Sequence, residues 1–283
     1  MYADDLQIYV QVPYDKISEG IASLSSAAQR VSTWANNNQL KLNEDKTKSI
    51  IFGPAQTIKN VKNINLHGIP LVNGEFTPFV DELVSLGIVL DNKLSWRPQI
   101  IHVTNKVNWA LFGLRFIRSC TTLALRKRLV ETLVMPHLDY CSVVYMDLTA
   151  ELKIHLQRLA NTCIRYIYGL RRNAHITPYR RELGWLKTDS RRTYFAALAM
   201  YKIIQMKEPS YLASLFETYD SKKPTRGIRK DLKVPYLSSV PGTNLFQVQS
   251  AKMWNALPTC IRDLPSLCHF KNAIWKHLFN LDG

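Results

Sequence analysis

Two carboxylates stand side by side in Tyr2-Ala3-Asp4-Asp5, close to the start of the chain. The next seven residues, Leu6-Gln7-Ile8-Tyr9-Val10-Gln11-Val12, alternate with a period of two. That period belongs to a half-buried strand, so the pattern predicts a turn feeding a strand. Adjacent carboxylates at the tip of a turn offer the oxygen ligands that hard divalent cations take. A pair of such cations can clamp the attacking and leaving oxygens of a phosphoryl transfer. The same Asp-Asp pair also suits a turn with no chemistry, because Asp tolerates turn geometry and bonds its own backbone. The tetrapeptide alone leaves both possibilities open.

Carboxylates need a scaffold, and the next fifty residues predict one. Ile17, Ile21, Leu24, Ala27, Ala28, Val31, Trp34 and Ala35 recur at helical spacing, which predicts an amphipathic helix of about five turns. Asn36-Asn37-Asn38 is expected to end it, since Asn accepts the left-handed conformation at a helix C-terminus. Leu40 and Leu42 alternate with Lys41 and Asn43 as a short strand, and Asn43 to Thr47 turn into a second strand, Ser49 to Phe52. Strand, helix and hairpin together predict an α+β fold. Residues 54–82 are punctuated by Pro54, Gly68, Pro70, Gly74 and Pro78 and are expected to be loop-rich, with short strands at 64–66 and 69–72. Leu83 to Leu90 is apolar and predicts one more strand, closed by Asp91-Asn92.

From residue 96 the pattern turns helical. Pro98 suits a first helical turn, and Ile100, Val103, Val107, Ala110, Leu114 and Ile117 form one stripe. Residues 122–146 predict a helix kinked at Pro136. Thr149 is expected to cap a third helix, with Leu152, His155, Leu156, Leu159, Cys163, Tyr166 and Leu170 as its apolar face. His155 on that face predicts a core histidine rather than a ligand. Arg158, Arg165 and Arg172 repeat every seven residues on another face. Three arginines about two turns apart could run along a phosphate backbone or could simply be a solvated face. Further helices are expected at 178–186, 189–207 and around Phe246 to Leu257 and Phe270 to Leu278, with a basic irregular stretch at 220–242.

Charge is unevenly distributed. The 283 residues carry 37 Lys and Arg against 22 Asp and Glu, a net charge of +15. Residues 1–50 hold five basic and six acidic side chains, so the surplus lies in the rest. A basic block beside a carboxylate-bearing segment predicts a polyanion held next to a metal site. The hydrophobic content of 46% excludes a disordered chain. The five cysteines form no C-x-x-C pair, which predicts reduced thiols in an intracellular protein. No apolar run has transmembrane length, so no membrane partner is expected.

With these residues in place, the chain resembles the C-terminal half of a reverse transcriptase from a non-LTR retrotransposon of the LINE or jockey-like kind. Tyr2-Ala3-Asp4-Asp5 looks like the family's Y-x-D-D hairpin. Trp34, Leu40-Lys41-Leu42-Asn43 and Lys46-Thr47 look like the following palm motif. Leu86-Gly87-Ile88-Val89-Leu90-Asp91 with Leu94-Ser95-Trp96 looks like the strand and turn that grip the primer. Phe246, Trp254-Asn255-Ala256-Leu257-Pro258 and Phe270-Lys271 are similar to the tail beyond the thumb. The motifs come in order and span nearly the whole chain, although the zinc-knuckle tail of some relatives is missing.

The resemblance implies a partial palm at 1–95, a helical thumb at 96–172 and a C-terminal helical extension at 173–283. It implies an RNA-directed DNA polymerase, adding nucleotides to a primer 3′-hydroxyl with Mg²⁺. Asp4 would be the main metal ligand, Asp5 a weaker ligand or electrostatic support, and Lys46 an acid or counter-charge at the triphosphate, unless it is a solvated turn residue. Tyr2, Leu86, Gly87 and Ile88 would hold the primer, and Arg158, Arg165 and Arg172 the duplex. The partners would be an RNA template and a DNA primer in the nucleus or cytoplasm. The fingers and the earlier palm aspartate belong upstream of Tyr2. A truncated enzyme, inactive alone and binding dNTP only if completed by that upstream half, is therefore expected; the alternative is a non-catalytic RNA- or DNA-binding remnant.

Overall fold

The computed structural model describes residues 5–43, 45–62, 69–70, 76–218, 231–235 and 245–283. Their fold is α+β and mostly helical, with two separate two-stranded antiparallel sheets. The chain divides into two compact units, Met1–Gln99 and Ile100–Gly283.

The first unit is built on α1 (Ile17–Asn37), which spans the expected residues. Its end differs in detail. Gln39, not an Asn, takes the left-handed position at φ 58°. Leu40 N then reaches Ala35 O at 2.8 Å and Gln39 N reaches Asn36 O at 3.1 Å, the paired bonds of a Schellman stop. Asn38 contributes its side chain instead, donating from Nδ2 to Trp34 O at 2.8 Å. The strand expected at Leu6 to Val12 is not formed: residues 6–12 carry no strand pairing, and Leu6, Ile8, Tyr9 and Val10 are all exposed. An alternating segment becomes a strand only against a hydrogen-bonded neighbour. Val12 is fixed by α1 instead, at the level of Gly20, where an added Cβ would lie 2.9 Å from Val12 Cγ2.

Leu40 to Leu42 is likewise irregular and exposed, and the strand expected at Ser49 to Phe52 shrinks to one parallel bridge, Ser49 to Phe79. Ser49 Oγ and Thr77 Oγ1 share a buried hydrogen bond of 2.7 Å beside it. A helix, α2 (Ala55–Lys62), occupies part of the expected loop. Pro54 and Gly53 disguise it, but Ile58 and Val61 are buried one turn apart and Pro54 O accepts its first bond from Ile58 N at 3.0 Å. Strands β1 (Ile69–Pro70) and β2 (Phe76–Thr77) pair antiparallel. The strand expected at 64–66 and the end of that expected at 69–72 lie outside the described residues.

The run Leu83 to Leu90 is not one strand but a hairpin. Strand β3 (Glu82–Ser85) pairs with β4 (Ile88–Asp91), with Ser85 opposite Ile88. The two turn residues, Leu86 and Gly87, both have positive φ, 47° and 77°. Two consecutive left-handed residues make the turn whose twist matches the flanking strands. Asp91 then closes the hairpin, its Oδ1 accepting from Ser95 N at 2.8 Å.

The second unit begins within α3 (Arg97–Phe116), whose Ile100, Val103, Val107, Leu111 and Leu114 are buried. The single kinked helix expected at 122–146 is two helices, α4 (Leu123–Leu133) and α5 (Met135–Asp139), with Pro136 in the first turn of α5. Proline lacks an N–H and clashes with the preceding turn, so a restart costs less than a kink. Helix α6 (Ala150–Tyr168) is capped as expected, Thr149 accepting from Leu152 N at 3.4 Å. It stops at Gly169, left-handed at φ 73°. Then follow α7 (Thr177–Glu182), α8 (Thr188–Tyr201) with a π turn at Lys202–Met206, α9 (Ser210–Ala213), α10 (Phe246–Ala256), α11 (Thr259–Arg262) and α12 (Leu267–Leu281).

Helix α8 is the hub of this unit, packed by α10 and α12. Met200, Tyr201, Trp254, Phe270 and Ile274 form the centre of its core. The Phe270 ring lies 4.6 Å from Tyr201 and 5.9 Å from Trp254, centroid to centroid. Residues on both sides of 172 interlock here. Gln157 Oε1 accepts from Thr188 N at 2.9 Å, and Arg191 grips Asp139 with two bonds of 2.5 and 2.6 Å. No helix among the described residues is long and apolar enough to cross a membrane.

Candidate nucleic-acid interface

Tyr2 and Asp4 lie outside the described residues. Asp5 is exposed, and so is Lys46, whose backbone N–H bonds Asn43 Oδ1 at 3.1 Å in a turn. Leu86 and Gly87 present the exposed tip of the β3–β4 hairpin, while Ile88 turns its side chain inward and is buried. One bond ties the Asp5 segment to this tip: Gln7 Nε2 donates to Ser85 Oγ at 2.5 Å, across 78 residues of sequence. The contact lies two residues from Asp5 on one side and one residue from Leu86 on the other.

The arginine row does not survive as a row. Arg158 is exposed on α6, but Arg165 is half-buried and its Nε is enclosed without a hydrogen-bond partner. Arg172 lies past the Gly169 stop and is not on the helix at all. Extending a seven-residue repeat through a glycine ignores the stop signal glycine gives. His155 also departs from expectation: it is exposed, with Nε2 3.0 Å from Thr104 Oγ1.

A different basic face emerges on α3. Between Asp91 and Glu131 there is no acidic residue, and Lys93, Arg97, Lys106, Arg115, Arg118, Arg126, Lys127 and Arg128 fall in that interval. Lys106 and Arg115 are exposed on α3. The same helix exposes Trp109, Phe112 and Phe116. The run without acids, rather than the spacing of arginines, is the sequence signal for this surface. Its field is felt nearby. His102 and His137 are both held below their ordinary 6.5, first by burial and then by the Lys106 charge.

Other arginines in the unit are structural. Arg180 is buried and donates to Trp185 O at 2.9 Å, Asp282 O at 3.2 Å and Gly283 O at 3.1 Å. Asp282 in turn accepts from Lys187 N and Ser190 Oγ, both at 2.6 Å, and so caps α8 from a distant helix. The five cysteines are unpaired, and burial pushes the Cys163 thiol up to about 12, where it is inert as a nucleophile.

No group of three or more His, Cys, Asp or Glu among the described residues could hold a metal ion. Asp4, the main ligand that the resemblance implies, lies outside the described residues. Comparison with protein-family models, curated proteins and solved structures finds no match to this chain.

Proposed function

We propose that this chain is part of an RNA-directed DNA polymerase resembling those of non-LTR retrotransposons, and that its own task is to hold the template and primer. The observation that carries this reading is the Gln7–Ser85 bond, which joins the Asp5 segment to the Leu86–Gly87 turn. In the resemblance these two parts serve the metal and the primer end, which must be neighbours for a 3′-hydroxyl to react. The acid-free interval from residue 92 to 130 supports the nucleic-acid part, because phosphate contacts supply most of such affinity. An RNA template and a DNA primer, met in the nucleus or cytoplasm, are the partners that go with it.

A primer carrying a photoreactive base at its 3′ end tests the reading. Crosslinking to the peptide containing Leu86, Gly87 and Ile88 is the expected result. Crosslinks confined to residues 100–283 would instead favour a nucleic-acid-binding remnant with no polymerase geometry. In a Mg²⁺-dependent primer-extension assay the chain alone is expected to incorporate nothing. Incorporation that disappears in Asp4→Ala would overturn that expectation.

A further inference from the structure

The outer face of α3 is unusual for a helix in water. Trp109, Phe112 and Phe116 are 75%, 52% and 72% exposed. They form an edge-to-face row, with centroids 6.3 Å apart from Trp109 to Phe112 and 4.9 Å apart from Phe112 to Phe116. At about 100° per residue they lie opposite the buried Val103, Val107 and Leu111. Folding therefore does not need them there, and water penalises them. Gly113 stands among them. A Cβ added to it would meet nothing within 4 Å, so no packing demands a residue that weakens a helix. Its effect is to leave bare backbone beside the rings.

Charge decides between the possible occupants. Lys106 flanks the row on one side and Arg115 on the other, and both are exposed. With no acid between residues 92 and 130 and a net charge of +15, the face repels a second copy of this chain and attracts a polyanion. A duplex keeps its base faces stacked inside and would leave the rings in water. Unpaired bases present those faces, and stacking on aromatic side chains is how strands are held without sequence preference.

We infer that the outer face of α3 binds single-stranded nucleic acid, with bases stacked on Trp109, Phe112 and Phe116 and phosphates paired to Lys106 and Arg115. This goes beyond the polymerase reading and shares with it only the nucleic-acid partner. It is read at a different place from the primer-end crosslink, so either can fail alone.

The test uses the full chain and labelled probes: an unstructured single strand, a hairpin duplex of equal phosphate number, and vesicles containing phosphatidylserine. In W109A/F112A/F116A the affinity for the single strand should fall about tenfold or more, because each base–aromatic stack contributes strongly. Affinity for the duplex should hold within about twofold, since the phosphate-pairing side chains are untouched. K106Q/R115Q should weaken single-strand binding and flatten its salt slope by about 1.4, roughly 0.7 for each phosphate left without its cation. Exposed rings can be removed without unfolding α3, which circular dichroism of the variant checks. Unchanged single-strand affinity in the triple variant, or equal weakening on both nucleic acids, overturns the inference. So does loss of vesicle binding or of self-association with single-strand affinity intact.

Discussion

Residues 100–283 enclose a large apolar core, in which Met200, Trp254, Phe270 and Ile274 are almost wholly shielded from water, while the α3 rings stay outside it. In residues 5–99 many are outside: Leu6, Ile8, Trp34, Leu40, Phe52 and Leu86 are exposed. Both regions carry amphipathic patterns of similar clarity. Helix α1 is as plainly periodic as α12, yet its only buried residues are Gly20 and Ala35. A stripe of apolar residues states that a partner surface is wanted; it does not supply one. In the second unit α8 meets α10 and α12, and their faces close on each other. Among the described residues of the first, α2, two short strand pairs and the Ser49–Phe79 bridge offer α1 little to pack against.

The sharpest way to test that difference is a matched pair of tryptophans. Trp254 is 2% exposed and Trp34 is 60% exposed. Trp254→Ala should lower stability by about 3–5 kcal/mol, the usual cost of emptying a core aromatic site. Trp34→Ala should stay within about 0.5 kcal/mol. Denaturant unfolding of the two variants measures both, and equal losses would erase the distinction. Next in size is Arg180→Met, which strips three backbone carbonyls of a buried donor and should cost about 2–3 kcal/mol in the same assay.

Glycines sharpen the comparison further. Gly87 and Gly169 share a left-handed backbone, φ 77° and 73°, so Ala at either carries roughly 1–2 kcal/mol of backbone strain. At Gly169 a side chain, the Arg118 guanidinium, also stands where the Cβ would go. Arg118 is exposed and can swing its end away, so the two variants should lose similar stability; a much larger loss at Gly169 would mean that Arg118 is held in place.

The smallest effect is a pH dependence confined to the second unit. His102 and His137 are held below 6.5 in the folded state, so the unfolded chain binds protons more readily. Stability should fall as pH drops through about 6.5, and the contribution of these groups should be gone once they are protonated in the folded state. Melting temperature against pH should flatten in H102Q/H137Q, with little change at about pH 8. A wild-type curve that is flat below about pH 6.5 would contradict the assignment.

Much of the second unit was legible because its elements carry complete signals. Thr149 begins α6 and Gly169 ends it, and the apolar stripes of α10 and α12 coincide with the helices they predict. What was not legible depended on conformations that residue type disguises. Leu86 at positive φ splits one apolar run into a hairpin, although leucine rarely takes that conformation. Pro54 reads as a breaker but stands just ahead of α2. Arg172 keeps the seven-residue spacing of Arg158 and Arg165, but Gly169 ends the helix before it. Of the candidate site, the order of motifs is visible in the sequence, but the Gln7–Ser85 contact beside two of them has no local signature. The aromatic row of α3 is hidden for a related reason: its residues are of the types that normally mark a core, and only the structure shows them facing water.

The central claim is that this chain holds nucleic acid through its basic helical unit, independently of the carboxylates at its start. Equilibrium binding of the full chain to an RNA–DNA primer–template over a salt series tests it most directly. The account predicts a log–log slope of about −0.9 for each phosphate contacted, with the same affinity in D4A/D5A as in the natural chain. No binding at low salt, a slope near zero, or affinity that disappears with Asp4 and Asp5 would contradict it.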